Sequence, residues 1–241
     1  MEITRLTIIV PVYNEAGTVG DILKKINEVK LTGGIEKEVI VINDGSTDDS
    51  GRVIQACRNA MPELNIRYME HKTNRGKGAA LHTGIANANG EYLLIQDADL
   101  EYDPLEYNDL LKPVYNGFAD VVYGSRFMGS NPHRILFFWH TIGNKWLTLL
   151  ANLFANLNLT DVETCYKLFN TEMIRHINLI EQRFGFEPEV TLKMARIPGI
   201  RIYEVGISYY GRTYNEGKKI KWKDGFRAMY CIFKYGLLKM G

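Results

Sequence analysis

The chain has 241 residues, 46% of them hydrophobic, which allows one large domain with a substantial core. A net charge of +1 gives no support to a nucleic-acid coat or an acidic interaction tail. Three widely spaced cysteines, Cys57, Cys165 and Cys231, form neither a disulfide framework nor a Cys-x-x-Cys zinc pattern, so a reducing compartment is expected.

Met1-Glu2-Ile3-Thr4-Arg5 lacks the basic and apolar regions of a signal peptide and leads directly into a strand pattern. Leu6–Val10, ended by Pro11, and Glu38–Ile42, ended by Asn43-Asp44-Gly45-Ser46, read as buried parallel strands. Val19, Ile22, Leu23, Ile26 and Val29 recur at helical spacing between them. Val53, Ile54, Cys57, Met61 and Leu64 predict a second helix after Asp49. Ile66–Met69 and Tyr92–Ile95 then flank an alanine-rich helix over 79–88. This β-α-β alternation predicts an α/β fold: a mostly parallel sheet with helices on both faces.

Ligands on such sheets bind outside the carboxyl ends of the strands. The polar clusters fall there: Tyr13-Asn14-Glu15, Asp44-Gly45-Ser46, Asn74-Arg75-Gly76-Lys77-Gly78 and Asp97-Ala98-Asp99. Two carboxylates one residue apart after a buried strand suit a magnesium or manganese ion shared with substrate phosphates. No Gly-x-Gly-x-x-Gly follows the first strand, and Gly76-Lys77-Gly78 lacks P-loop spacing, which disfavours dinucleotide oxidoreductases and P-loop NTPases. The two glycines make a turn at a helix start, or the same turn aims backbone N–H groups at a phosphate with Lys77 beside it.

Residues 135–159 are very apolar, but Thr141, Asn144, Lys145, Thr148, Asn152 and Asn156 form a polar stripe at helical spacing. The stretch is too interrupted to span a bilayer. On composition alone its broad apolar face belongs in the core; the alternative is a lipid interface with Trp139 and Trp146 at headgroup depth. From Arg212 onward, eight Lys or Arg stand against two acids, Glu216 and Asp224.

Ile9–Glu15, Val41–Asp48, Asn74–Ala80 and Gln96–Glu101 together resemble glycosyltransferase family 2 in motif, order and spacing. Tyr123-Gly124-Ser125-Arg126, the segments 161–167 and 184–189, and Arg212–Lys219 resemble its dolichol-phosphate mannose synthase and polyprenyl-phosphate sugar synthase branch. The resemblance implies a GT-A fold, Rossmann-like and nucleotide-sugar-binding, as one catalytic domain over 1–241. Residues 1–126 would bind the nucleotide sugar, and 127–241 the acceptor. It also implies inverting transfer of a hexose from a donor of the GDP-mannose or UDP-glucose type. Pro11, Val12, Tyr13, Glu15 and Asp44 match base- and ribose-holding positions, with Lys77 expected near the donor phosphates. Asp97 and Asp99 match the Asp-x-Asp that positions the diphosphate through Mg²⁺ or Mn²⁺, and Glu101 is a further oxygen ligand. Arg126 matches the arginine between phosphates and acceptor; Arg134, Arg212 and Lys218 are acceptor-side cations. Gly206 and Gly211 stand where prolines are common, which predicts a more mobile loop before Arg212, and Cys165 stands where the mannose synthases carry glycine.

The acceptor decides what else the site needs. A saccharide hydroxyl requires a carboxylate base, for which Asp161, Glu187 or Glu189 are available; Glu187 and Glu189 are otherwise helix N-terminal charges. A polyprenyl phosphate is already ionised and needs cations to orient it. The apolar segment and basic tail favour the lipid phosphate, on a protein peripheral to the cytoplasmic face of a membrane, with a separate membrane-anchoring subunit as a candidate partner. The rivals are transfer to a saccharide hydroxyl, a sugar-phosphate nucleotidylyltransferase, and a non-catalytic nucleotide-sugar binding protein.

Overall fold

The computed structural model describes residues 3–135, 137–213 and 222–237. Seven strands form one sheet: β1 (Arg5–Val12), β2 (Glu36–Asn43), β3 (Ile66–Glu70), β4 (Tyr92–Ile95), β5 (Val121–Ser125), β6 (Lys167–Asn170) and β7 (Ile202–Gly206). Their order is β3-β2-β1-β4-β6-β5-β7. All neighbouring pairs are parallel except those of β6, which runs antiparallel to both β4 and β5.

Alternate residues of the central strands feed two separate cores, as a sheet covered on both faces requires. Ile8, Val10, Val39 and Val41 pack beneath α1 (Val19–Glu28), α2 (Ser50–Ala60) and α4 (Tyr107–Tyr115). Ile9, Ile40 and Ile42 face α3 (Lys77–Asn87), α7 (Phe186–Met194), part of α5 (Phe138–Ala155) and α8 (Trp222–Gly236). A short helix, α6 (Thr171–Arg175), follows β6.

Two element boundaries differ from expectation. β1 continues through Pro11 to Val12, pairing Pro11 with Ile42 of β2. The second helix stops at Ala60, because Pro62 starts a separate 3₁₀ turn that carries Leu64 into the core.

The larger correction concerns α5. Its buried residues are Thr148 and Ala151, while Phe138, Trp139, Trp146, Leu149 and Leu153 are exposed, Trp139 at 76% and Leu153 at 72%. Asn144, Thr148 and Asn152 of the polar stripe face the protein, while Lys145 and Asn156 are exposed. Asn144 Nδ2 donates to Asp161 Oδ1 (3.2 Å), Thr148 Oγ1 accepts from the Val162 N–H (3.2 Å), and Asn152 exchanges hydrogen bonds with the backbone of Leu159 (2.8 and 2.9 Å). Phe138, Trp139, Trp146, Leu149 and Leu153 point outward while Leu147, Leu150, Ala151 and Phe154 pack on the core, so only the inner edge of the broad apolar face is core. Helix α8 packs beside it, with the Phe154 and Phe233 rings 5.6 Å apart and edge to face.

Candidate active site

The carboxyl ends of β1, β2, β4 and β5 open into one cavity of about 460 Å³. Pro11, Val12, Tyr13 and Glu15 line it after β1, and Asp44 after β2. Asp44 is buried, and its carboxylate is engaged by protein. It accepts from the backbone N–H of Gly76 (2.7 Å) and Arg75 (3.0 Å) and lies 2.7 Å from His71 Nδ1. It therefore clamps the 74–76 loop to the end of β2. The glycines of that loop are demanded by close approach: Gly76 has φ +100°, and a Cβ there would lie 2.5 Å from the Gln182 carbonyl oxygen. A Cβ on Gly78 would collide with the Glu181 carbonyl. The turn thus serves packing, and Lys77, its charged residue, reaches the cavity.

Four carboxylates and two cations form the polar floor. Lys77 Nζ lies 2.5 Å from Asp97 Oδ1. The Arg212 guanidinium donates to Glu15 Oε1 (3.1 Å) and Oε2 (3.2 Å) and to Asp99 Oδ2 (2.9 Å). Glu101 accepts from the Arg212 backbone N–H (2.7 Å) and from Tyr209 Oη (2.8 Å). Burial, then the charges of Asp97 and Glu101, push the Asp99 carboxyl up to about 7. Such crowding of carboxylates is relieved by a cation.

No three His, Cys, Asp or Glu side chains among the described residues are grouped as a ready-made metal cage. The donor set nonetheless suits a hard divalent ion held by one or two carboxylates plus substrate phosphates, and Asp97 and Asp99 are the two that would hold it. Glu101 lines the same cavity, but Tyr209 and the Arg212 backbone use both of its oxygens.

Arg126, at the end of β5, makes a bidentate pair with buried Asp161, Nε to Oδ2 at 2.7 Å and Nη2 to Oδ1 at 2.8 Å. Its guanidinium also lies 5.1 Å from the centre of the Tyr209 ring. Arg134 does not line the cavity; its Nη1 donates to the Gly211 carbonyl (2.8 Å) and braces the loop that carries Arg212. The glycines of that loop are held: Asn131 Nδ2 donates to the Gly206 carbonyl (2.9 Å), and Met128 leaves no space for a Cβ on Gly206. The expected looseness before Arg212 is therefore replaced by a pinned segment. Lys218 lies outside the described residues.

The three carboxylates expected as bases for a hydroxyl acceptor stand away from the cavity wall. Asp161 is committed to Arg126 and Asn144. Glu187 pairs with buried Lys167. Glu189 accepts from the backbone N–H groups of Ile180 (2.9 Å) and Glu181 (2.8 Å) and pairs with Lys193 (2.9 Å). Glu187 and Glu189 stand in the first turn of α7 as helix N-terminal charges, and both are buried in hydrogen-bonded networks.

The family model described as glycosyl transferase family 2 matches residues 7–177, more than half of the chain. The chain belongs to glycosyl transferase family 2. Among its relatives is a dolichyl-phosphate beta-glucosyltransferase of Dictyostelium discoideum, 30% identical over 89% of this chain and 68% of that protein. An undecaprenyl-phosphate mannosyltransferase of Micrococcus luteus is 29% identical over 89% and 87%. A dodecaprenyl-phosphate galacturonate synthase of Rhizobium johnstonii is 24% identical over 88% and 61%. These relatives put the chain in the polyprenyl-phosphate glycosyltransferase branch of the family, and it is a glycosyltransferase. The fold is GT-A. Glucosyl-3-phosphoglycerate synthase of Mycobacterium tuberculosis, solved with Mn²⁺, UDP and glucosyl-3-phosphoglycerate, superposes with a TM-score of 0.74 at 18% identity, covering 97% of this chain and 80% of that one.

Family motifs found most of the cavity wall but not all of it. Glu163 and Arg183 line the cavity without having been singled out as site residues, although Glu163 lies within the 161–167 segment and Arg183 borders 184–189. Their signal is three-dimensional. Glu163 precedes a strand whose antiparallel direction could not be read from a short apolar run, and Arg183 arrives with the segment against which Gly76 and Gly78 pack.

Proposed function

We infer that this glycosyltransferase moves one hexosyl group from a GDP- or UDP-linked sugar to a polyprenyl phosphate, with inversion at the anomeric carbon, at the cytoplasmic surface of a membrane. Residues 1–126 supply the donor side and 127–241 the acceptor side. Pro11, Val12, Tyr13, Glu15 and Asp44 shape the nucleoside end, and Lys77 faces the donor phosphates. Asp97 and Asp99 would hold a divalent ion, which would supply charge stabilisation for the nucleoside diphosphate leaving group.

The single observation that carries the acceptor class is the outward apolar face of α5. Its inward polar stripe reaches Asp161, which in turn orients Arg126. The chain thus ties an exposed, aromatic, lipid-compatible surface to an arginine on the cavity wall through two hydrogen-bonded steps. Interfacial helices present such aromatic and leucine faces to the boundary of headgroups and acyl chains. No helix among the described residues is long and apolar enough to cross a membrane, so the contact proposed is peripheral. The names of the curated relatives support a lipid-phosphate acceptor but carry three different sugars. A phosphate acceptor needs no general base, in keeping with the engagement of Asp161 and Glu189 elsewhere. Arg126 and Arg212 orient it, a role for which guanidinium geometry is suited.

The test is release of GDP or UDP from a panel of nucleotide sugars with Mn²⁺, with and without undecaprenyl phosphate. Lipid-dependent release that disappears on chelation of the metal supports the reading. Release that depends only on free saccharides overturns the acceptor assignment.

A further inference from the structure

Glu163 presents an unexplained group. It lines the cavity, and its carboxyl Oε1 is fully buried with no hydrogen-bond partner among the described residues. An unmade hydrogen bond at a buried polar oxygen is costly, so such a group in a folded protein calls for an explanation.

The loop that presents it is not loose. Lys167 Nζ donates to the carbonyls on either side of Glu163, those of Val162 (3.0 Å) and Thr164, and is itself paired with Glu187. Glu204 accepts from the backbone N–H groups of Thr160 (2.9 Å) and Asp161 (3.2 Å), and Thr148 takes that of Val162. The backbone around Glu163 is satisfied on several sides, yet one carboxyl oxygen is left open. Pinning of this kind is what a binding group needs in order to hold its geometry.

Sheet order gives its position. β6 is antiparallel and lies between β4 and β5, so its lead-in segment emerges at the carboxyl edge of the parallel strands. Glu163 therefore stands between the strand that ends in Asp97 and Asp99 and the strand that ends in Arg126. If the first pair marks the donor diphosphate and Arg126 the acceptor, the space between them belongs to the group in transit.

We propose that Glu163 recognises the transferred sugar, its open carboxyl oxygen hydrogen-bonding hydroxyls of the hexosyl group held between the diphosphate and the acceptor. This rests on the donor and acceptor assignments made above. Burial, then the charge of Glu187, pushes the Glu163 carboxyl up to about 7. Part of the population is then a neutral acid near neutral pH, able both to donate to one sugar hydroxyl and to accept from another. A site built to bond a substrate hydroxyl discriminates more sharply than an apolar pocket does.

The test separates the sugar from the nucleotide. Binding of UDP, GDP, UDP-glucose and GDP-mannose is titrated calorimetrically with Mn²⁺ for the wild type, Glu163→Gln and Glu163→Leu, alongside donor KM and kcat with undecaprenyl phosphate. The expected result is nucleoside diphosphate affinity unchanged within about 2-fold in every variant, with donor affinity in Glu163→Leu weakened roughly 10- to 100-fold. Glu163→Gln, which keeps a donor and an acceptor, restores most of that loss. If Glu163→Leu fails to fold, judged by circular dichroism melting, Glu163→Asp withdraws the carboxyl by one methylene and must weaken donor but not UDP binding. Equal losses for UDP and for the nucleotide sugar would overturn the proposal in favour of a structural role. A kcat collapse shared by Gln and Leu with donor affinity intact would overturn it in favour of proton transfer from a hydroxyl acceptor. A wild type that binds nucleoside diphosphates and nucleotide sugars equally, yet turns over with lipid phosphate, would sink the sugar contact alone. One that binds no nucleotide sugar would remove the proposed function and this proposal together.

Discussion

Helices α1 and α5 both carry apolar residues at helical spacing, yet α1 buries its apolar face and α5 leaves most of its large apolar side chains exposed. In α1, Val19, Ile22, Leu23 and Ile26 are fully buried against the sheet. In α5 the fully buried positions are Thr148 and Ala151; Leu147, Leu150 and Phe154 pack partly on the core, and Phe138, Trp139, Trp146, Leu149 and Leu153 point outward. Periodicity establishes that a helix has two faces; it does not say which face meets the protein. What decides is the chemistry of the partner. The sheet beneath α1 offers Ile8 and Val10, whereas the segment beneath α5 offers the Asp161 carboxylate and the backbone of Val162 and Leu159. A polar underside needs a polar stripe above it.

The largest expected effect tests the floor of the cavity that both halves share. Asp99→Ala is expected to lower turnover by about 10²–10³-fold, the scale on which preorganised charge stabilisation acts, with little change in melting temperature. Turnover with lipid phosphate and a thermal melt measure the two quantities. A variant of near-normal rate would show that Asp97 alone carries the diphosphate.

The two helices should then part company. Ile22→Ala leaves a cavity under α1 and is expected to cost about 2–5 kcal/mol of stability in urea unfolding. The double substitution Trp139→Ala with Trp146→Ala removes exposed rings and is expected to change stability by less than about 1 kcal/mol. It should nonetheless weaken binding to anionic vesicles by roughly 10-fold or more, because each ring contributes buried apolar area only at the lipid boundary. Loss of stability equal to that of Ile22→Ala would place the two tryptophans in a protein interface and break the contrast.

Most of the donor side was legible because it depends on local grammar. Apolar runs ended by Pro11, by Asn43-Asp44-Gly45 and by Gln96-Asp97 mark β1, β2 and β4, and the rule that ligands sit at strand ends gathers Tyr13, Glu15, Asp44, Lys77, Asp97 and Asp99 onto one cavity. What the motifs did not disclose is partnership. Asp44 reads as a free ligand, yet its carboxylate is used by the backbone of Arg75 and Gly76. Glu189 reads as a helix-end charge, yet it caps the backbone N–H groups of Ile180 and Glu181. The position of Glu163 depends on the direction of β6, which is set by long-range pairing with β4 and β5 rather than by the four residues of the strand. The orientation of α5 is of the same kind, since its polar residues gain meaning only from a loop that follows the helix.

The smallest effect concerns how the second apolar helix is fastened. Glu181 accepts from Arg227 Nη2 (2.6 Å), Lys234 Nζ (3.1 Å) and Tyr235 Oη (2.8 Å), three residues of α8. Burial opposes the charged form of Glu181, but the hydrogen bonds from Arg227, Tyr235 and Lys234 outweigh it and hold the carboxyl down at about 2. The folded value lies below the ordinary value of about 4.3, so the contribution is fully present above about pH 4.3 and is lost as pH falls toward 2. Glu181 is buried but its partner Arg227 is half exposed, and solvent screening of that partner limits the contribution to about 1 kcal/mol. Glu181→Gln should therefore be slightly less stable than the wild type at pH 7, have a shallower stability slope between about pH 4 and pH 2, and converge with it at the acid end. Urea unfolding across that window reads the slope directly. Parallel curves for the two proteins would mean that apolar contacts such as Phe154 with Phe233 hold α8 in place without Glu181. The fastening of α8 would then rest on apolar packing, as the burial of Val19, Ile22, Leu23 and Ile26 does for α1.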